Sequence, residues 1–101
     1  MAPFDAQVLY SKALSYSALG NPVRALELTD RYIAIQPEDH RGWTQRGVLM
    51  FESGHLDDAR FATEKSIELN PLNSHAWNNS GLILLRSKKE MQRAADALSM
   101  R

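Results

Sequence analysis

The side chains of this chain best equipped for chemistry are three histidines, two pairs of adjacent acids and two tryptophans. His40, His55 and His75 could ligate a metal or pass a proton. Glu38–Asp39 and Asp57–Asp58 could hold a cation or divide general acid and base roles. Their spacing argues against both. The histidines stand fifteen and twenty residues apart, and no two share the i, i+4 step that brings ligands onto one helical face. Both acid pairs sit where helical runs begin, and a carboxylate there favours the positive end of the helix dipole. There is no glycine-rich phosphate loop, no serine in an elbow motif and no cysteine to complete a site. An enzyme is therefore not expected, nor a metal, nor a cofactor. Trp43 and Trp77 could stack a ligand, but they recur at one fixed interval, which reads as packing inside a repeated unit.

What remains is the framework that would present a binding surface. The 101 residues suffice for one small domain, 1–101, or a few repeat units. A compact chain of that size buries roughly two thirds of its unfolded surface, enough to fold without the disulfides that its sequence cannot form. Twelve basic and twelve acidic residues cancel, so the overall positive field that nucleic-acid binding draws on is missing. No nucleic-acid partner is expected.

Charge is unevenly spread, however. Residues 86–101 carry five basic groups (Arg86, Lys88, Lys89, Arg93, Arg101) against two acidic ones. A solvated helix face is the plain reading, and a basic edge for an acidic partner is the functional one. The start, Met-Ala-Pro-Phe-Asp, lacks the charged and apolar regions of a secretory leader. The apolar stretches Val48–Phe51 and Gly81–Leu85 are far too short to span a bilayer. Membrane insertion is not expected, and a cytoplasmic location is.

Sliding the sequence against itself by thirty-four residues places Gly20 on Gly54, Ala25 on Ala59, Thr29 on Thr63, Ile33 on Ile67 and Pro37 on Pro71. A further slide puts Trp43 on Trp77, Gly47 on Gly81 and Ser53 on Ser87. The units are 6–39, 40–73 and 74–101, the third incomplete or atypical. Each reads as two helices. Trp43, Gly47 and Met50 recur at steps of four and three on one face, Gly54 stops that helix, and Leu56, Ala59, Thr63 and Ile67 begin a second stripe. Asn70-Pro71 closes the unit because proline cannot continue a helix. The spacing predicts turns near Gly20-Asn21, Pro37–Asp39, Gly54-His55, Pro71–Asn73 and Ser87–Lys89, with no strand. Gly47, Gly81 and Ala13 fall where paired helices would cross most closely, and the tryptophans beside them read as core.

The run Trp43, Gly47, Met50, Ala59, Thr63, Pro71, repeated as Leu9, Ala13, Tyr16, Ala25, Thr29, Pro37 and begun again as Trp77, Gly81, Leu84, resembles the tetratricopeptide repeat family. The resemblance covers residues 6–101. It implies an all-α fold of 34-residue helical hairpins stacked as a short right-handed superhelical solenoid, and a module that binds a protein or peptide partner. Departures are visible. Thr29 and Thr63 stand where the family prefers an aromatic, and Tyr32 stands where it usually has alanine, able to refill volume that Ser66 cannot in the next unit. Arg86-Ser-Lys-Lys-Glu-Met replaces the third glycine turn, Ala94 arrives one residue late, and no polar cap follows the apolar stripe Ala94, Ala97, Leu98, Met100.

By that resemblance the first helices line a concave groove, the usual seat of an extended peptide. Its positions map onto Tyr10 and Leu14 in the first unit, Arg41, Thr44, Val48, Phe51 and Glu52 in the second, and His75, Asn78, Leu82, Leu85 and Arg86 in the third. The family's dicarboxylate clamp is not expected, because its positions hold Gln7, Ser11, Gln45, His75 and Asn79, without the cationic grip. The ladder Leu14, Val48, Leu82 is open to two readings, a peptide groove or ordinary packing. At the level of function, an adaptor or chaperone-like module using the concave face stands beside an alternative. In the alternative the chain is a segment of a longer solenoid, or self-associates through its uncapped C-terminal end.

Overall fold

The computed structural model describes residues 3–99. Met1 and Ala2, at the start that was read for a leader, and Met100 and Arg101, at the end of the apolar stripe and the basic cluster, lie outside the described residues. Five helices follow in order: α1 (Pro3–Ala18), α2 (Pro22–Ile35), α3 (His40–Glu52), α4 (Leu56–Leu69) and α5 (Ser74–Ser99). There is no strand among the described residues. The result is an all-α array in which α1 pairs with α2, α3 pairs with α4, and α5 docks on the second pair.

Local chemistry sets the four observed turns. Gly20 and Gly54 take φ of 78° and 83°, left-handed values that a side chain would disfavour by roughly 1–2 kcal/mol. After the first of them, Asn21 caps α2 by accepting from the Arg24 N–H, and Pro22 occupies the first helical turn. Asp39 caps α3 by accepting from the Arg41 N–H, and Asn73 Oδ1 accepts from the Ala76 N–H at the start of α5. Asp57 and Asp58 lie in the first turn of α4, as their spacing predicted.

The hairpins close on small residues. Ala13, Ala25 and Ala59 are buried, and a Cβ at Gly47 would lie only 2.6 Å from Thr63 Oγ1 and 3.5 Å from the Ala59 carbonyl oxygen. That Thr63 hydroxyl is buried without a hydrogen-bond partner. Thr29, at the same place in the first unit, instead donates to the Ala25 carbonyl at 2.8 Å. Beside the crossings Leu28, Leu49 and Ile83 are the largest fully buried apolar side chains. Burying one such side chain contributes roughly 1.5–3 kcal/mol, so Ile83, packed with Met50 and Ala59, joins the buried Ala76 in anchoring α5.

Three expectations fail, all in the third unit and all for one reason. The turn near Ser87–Lys89 does not form, and α5 runs unbroken for 26 residues. Lys88 occupies the place that Gly20 and Gly54 hold in the first two units, so the backbone keeps helical φ instead of reversing. Without a returning helix, Gly81 is no close crossing, since a Cβ there would meet nothing within 4 Å. Nor is Trp77 core. It is 54% exposed, although its indole N–H donates to the Pro71 carbonyl at 2.7 Å much as Trp43 donates to Pro37 at 2.9 Å. Trp43 keeps an edge-on neighbour in Phe61 of α4, with ring centroids 6.0 Å apart. No described helix is long and apolar enough to cross a membrane.

Candidate functional site

At the α2–α3 junction the sequence builds a tight polar lock. Tyr32, 2% exposed, donates its phenolic hydrogen to Asp39. Arg41 closes on the same carboxylate through Nη2 at 2.8 Å and Nε at 3.2 Å, and stacks its guanidinium over Tyr10, 5.2 Å from the ring centroid. Tyr10 in turn packs against Tyr32, centroids 5.2 Å apart. The Arg41 hydrogen bonds outweigh partial burial and hold the Asp39 carboxyl well below the usual carboxylate range. Burial, then the hydrogen bond to Asp39, pushes the Tyr32 phenol up to about 12.

One unit later the same four positions hold smaller groups. Ser66 replaces Tyr32, Asn73 replaces Asp39, Thr44 replaces Tyr10 and His75 replaces Arg41. Ser66 and Thr44 both donate to the His40 carbonyl, at 3.0 and 2.9 Å. The Asn73 amide lies 2.8 Å from Thr44 Oγ1, and the His40 ring sits between Asn73 (2.9 Å from Nδ1) and Asn70 (3.2 Å from Nε2). Beside these smaller groups lies a recess of about 430 Å³ lined by Tyr10, His40, Arg41, Thr44, Gln45, Val48, Asn73, His75 and Asn79. All of these lie on α1, α3, α5 or the turn before α5.

Of the twelve positions named from the sequence, the recess brings together Tyr10, Arg41, Thr44, Val48 and His75. The others lie outside it. Leu14, Leu82 and Leu85 are exposed, as are Glu52 and Asn78. Phe51 packs against the core of the second hairpin, with the Arg86 guanidinium 5.9 Å from its ring centroid. The sequence offers His40 only as a metal ligand or proton carrier and Gln45 and Asn79 only as clamp positions, and gives no sign of Asn73. The available signal was the exchange of Tyr32 for Ser66, read together with its neighbours at the same repeat positions.

The recess carries groups able to hold a ligand. It offers N–H donors from Gln45, Arg41 and Asn79 beside the apolar faces of Tyr10 and Val48, and Asn79 Nδ2 is buried without a partner. Among the described residues no three histidines or acids come together as a metal-binding group.

A stack of helical hairpins with a lined recess on its first-helix face defines an all-α repeat protein. One sequence model of the tetratricopeptide repeat matches residues 40–73, and a second, also described as tetratricopeptide repeat, matches residues 62–98. The chain belongs to the tetratricopeptide repeat family. Repeats of this family generally mediate protein–protein interaction, and the family is not an enzyme family.

Proposed function

We propose that the chain is an adaptor-type or chaperone-like module that takes an extended peptide segment of a partner protein along the face of α1, α3 and α5. The observation that supports it most is the recess at the junction of the second and third units. There polar donors converge beside two apolar walls, and one buried amide donor lacks a partner. Val48 lies in the wall, and Leu14 and Leu82 hold its place in the flanking units, each exposed. An extended peptide could set one side chain in the recess while apolar neighbours meet this ladder.

Selection of a displayed library of random peptides on the folded chain provides the test. Peptides retained by the parent should lose binding to Val48→Glu and Leu82→Glu, because an unpaired charge in a desolvated contact opposes docking strongly. Circular dichroism should show unchanged helicity. Equal binding of the selected peptides to both variants would remove this face as the site.

A further inference from the structure

Among the described residues no helix returns along the second half of α5, which borders only an open recess where Ser87, Glu90, Met91 and Ala94 stand near Gly54, Leu56 and Asp57, and the residues it exposes answer to those exposed on its first half. We infer that α5 pairs antiparallel with α5 of a second copy of this chain, each copy supplying the returning helix that the other's third unit lacks. The inference concerns the side of α5 turned away from the recess and stands apart from the peptide-binding proposal.

In the second unit α3 presents Trp43, Gly47 and Met50 to α4, where Ala59, Thr63 and Phe61 cover them. The corresponding face of α5 carries Trp77, Gly81 and Leu84, and no described residue closes over it as α4 closes over α3. Trp77 is 54% exposed, Leu84 is 60% exposed, and Gly81 has open space before it. Further along the same helix Met91 and Leu98 are 73% and 64% exposed. The four large residues recur every seven positions, so they form one seam along the helix. Placed antiparallel about a twofold axis near Ser87–Lys88, two such seams meet residue for residue: Trp77 against Leu98, Gly81 against Ala94, Leu84 against Met91. The small residue again faces a small residue and the large ones fill beside it, which is the pattern of the closed hairpins. A seam of that kind is self-complementary, as a twofold interface must be.

The hinge explains why exchange replaces closure. A chain that reversed at Lys88 would need the left-handed backbone that Gly20 and Gly54 adopt, and lysine disfavours it. Arg86 and Glu90 add an i, i+4 ion pair across the same point at 3.5 Å, favouring the straight helix. Lys88 follows Leu84 by the step that separates Gly81 from Trp77, so it lies on the seam beside the axis, and its long stem must carry the ammonium out to water. From Trp77 to Leu98 the seam runs about 32 Å at roughly 1.5 Å per residue. Two facing strips of that length and about 10 Å width cover about 640 Å² in flat projection, roughly half the 1,200 Å² at which stable specific interfaces begin, so the pairing is weak and depends on concentration.

Light scattering or sedimentation of the 101-residue chain should show the mass rising from monomer towards dimer as concentration climbs through the micromolar range. Replacing Lys88→Gly, Lys89→Asn and Glu90→Pro, which copies Gly20-Asn21-Pro22, should let each chain close its own hairpin and yield a monomer of similar helicity. Leu84→Glu, at a position exposed in a single copy, should also give a monomer, and guards against a hinge variant that fails to fold. The protein has no cysteine, so Gly81→Cys with Ala94→Cys reports the pairing directly. Oxidation should link two chains in the parent background and close within one chain in the hinge variant. A parent chain that stays monomeric, a cysteine pair that closes within one parent chain, or a dimer indifferent to Leu84→Glu would each overturn the exchange.

Discussion

Tyr32 and Ser66 occupy the same place in successive units, and the exchange of a phenol for a hydroxymethyl group decides where the array is sealed and where it is open. Tyr32 fills the junction between the first two units, reaches Asp39 and supports Tyr10. Ser66 meets the His40 carbonyl, the Thr44 hydroxyl and the Asn73 amide, and those three residues line a recess of about 430 Å³. The first junction is thus a rigid, charge-assisted lock. The second is a polar cup whose walls are held in place by hydrogen bonds from Asn73 and Thr44.

The lock should show in the pH dependence of stability at both ends. Folding depresses the Asp39 pKa, so its contribution is complete above the unfolded value of about 4 and is lost as pH falls below it. Folding raises the Tyr32 pKa to about 12. That contribution is complete below the unfolded value of about 10 and is lost as pH climbs from there towards the folded value. Urea midpoints measured across pH should therefore decline in both windows. Asp39→Asn should flatten the acid decline and Tyr32→Phe the alkaline one, each with a loss near neutrality of about 0.5–1.5 kcal/mol for the missing hydrogen bond. Unchanged slopes in both variants would mean that the lock does not contribute to folding.

Two glycines at one repeat position should respond in opposite directions. Gly47 has the Thr63 hydroxyl where its Cβ would go, so Gly47→Leu should destabilise by about 1–3 kcal/mol through overpacking. Gly81 faces open space in a single copy. In dilute solution, where each copy stands alone, Gly81→Ala should stabilise by about 0.5–1 kcal/mol through helix propensity. Thermal melts of the two variants read both effects, and a loss at Gly81 as large as that at Gly47 would place a returning helix against it.

The all-α hairpin plan was legible in the sequence because the spacing of Ala25, Ala59, Pro37 and Pro71, with glycine at 20 and 54, is imposed by backbone geometry and close crossings. Those constraints act locally, so one unit predicts the next. The third unit escaped because Lys88 stands at the glycine position, while Ala94, one residue late, blurs the repeat register there. Trp77 differs from the reading as a consequence, since its burial depends on a helix that does not return within residues 74–99. The candidate site was legible in part. Tyr10, Arg41, Thr44, Val48 and His75 follow from the face of the first helices. The recess itself depends on a volume lost at Ser66, a residue on α4, and on the side-chain hydrogen bonds of Asn73 and His40, which no period reveals.

The sharpest consequence of the Tyr32–Ser66 relationship is that the recess should be closable by grafting the first junction onto the second. Ser66→Tyr, Asn73→Asp and His75→Arg together reproduce Tyr32, Asp39 and Arg41 at their repeat positions. Ser66→Tyr alone would bring a phenol into a fully buried site without its acceptor, so the single variant should lose stability through an unpaired hydroxyl and overpacking. The triple variant supplies the acceptor and the guanidinium that packs beside it, and should recover a thermal midpoint within a few degrees of the parent. With the recess filled, peptides selected on the parent should no longer bind, while helicity and mass in solution stay unchanged. Binding that persists in a well-folded triple variant would show that the recess takes no part in recognition. A triple variant no more stable than Ser66→Tyr would show instead that the two junctions are not interchangeable, and that the lock depends on Tyr10 as much as on the three grafted residues.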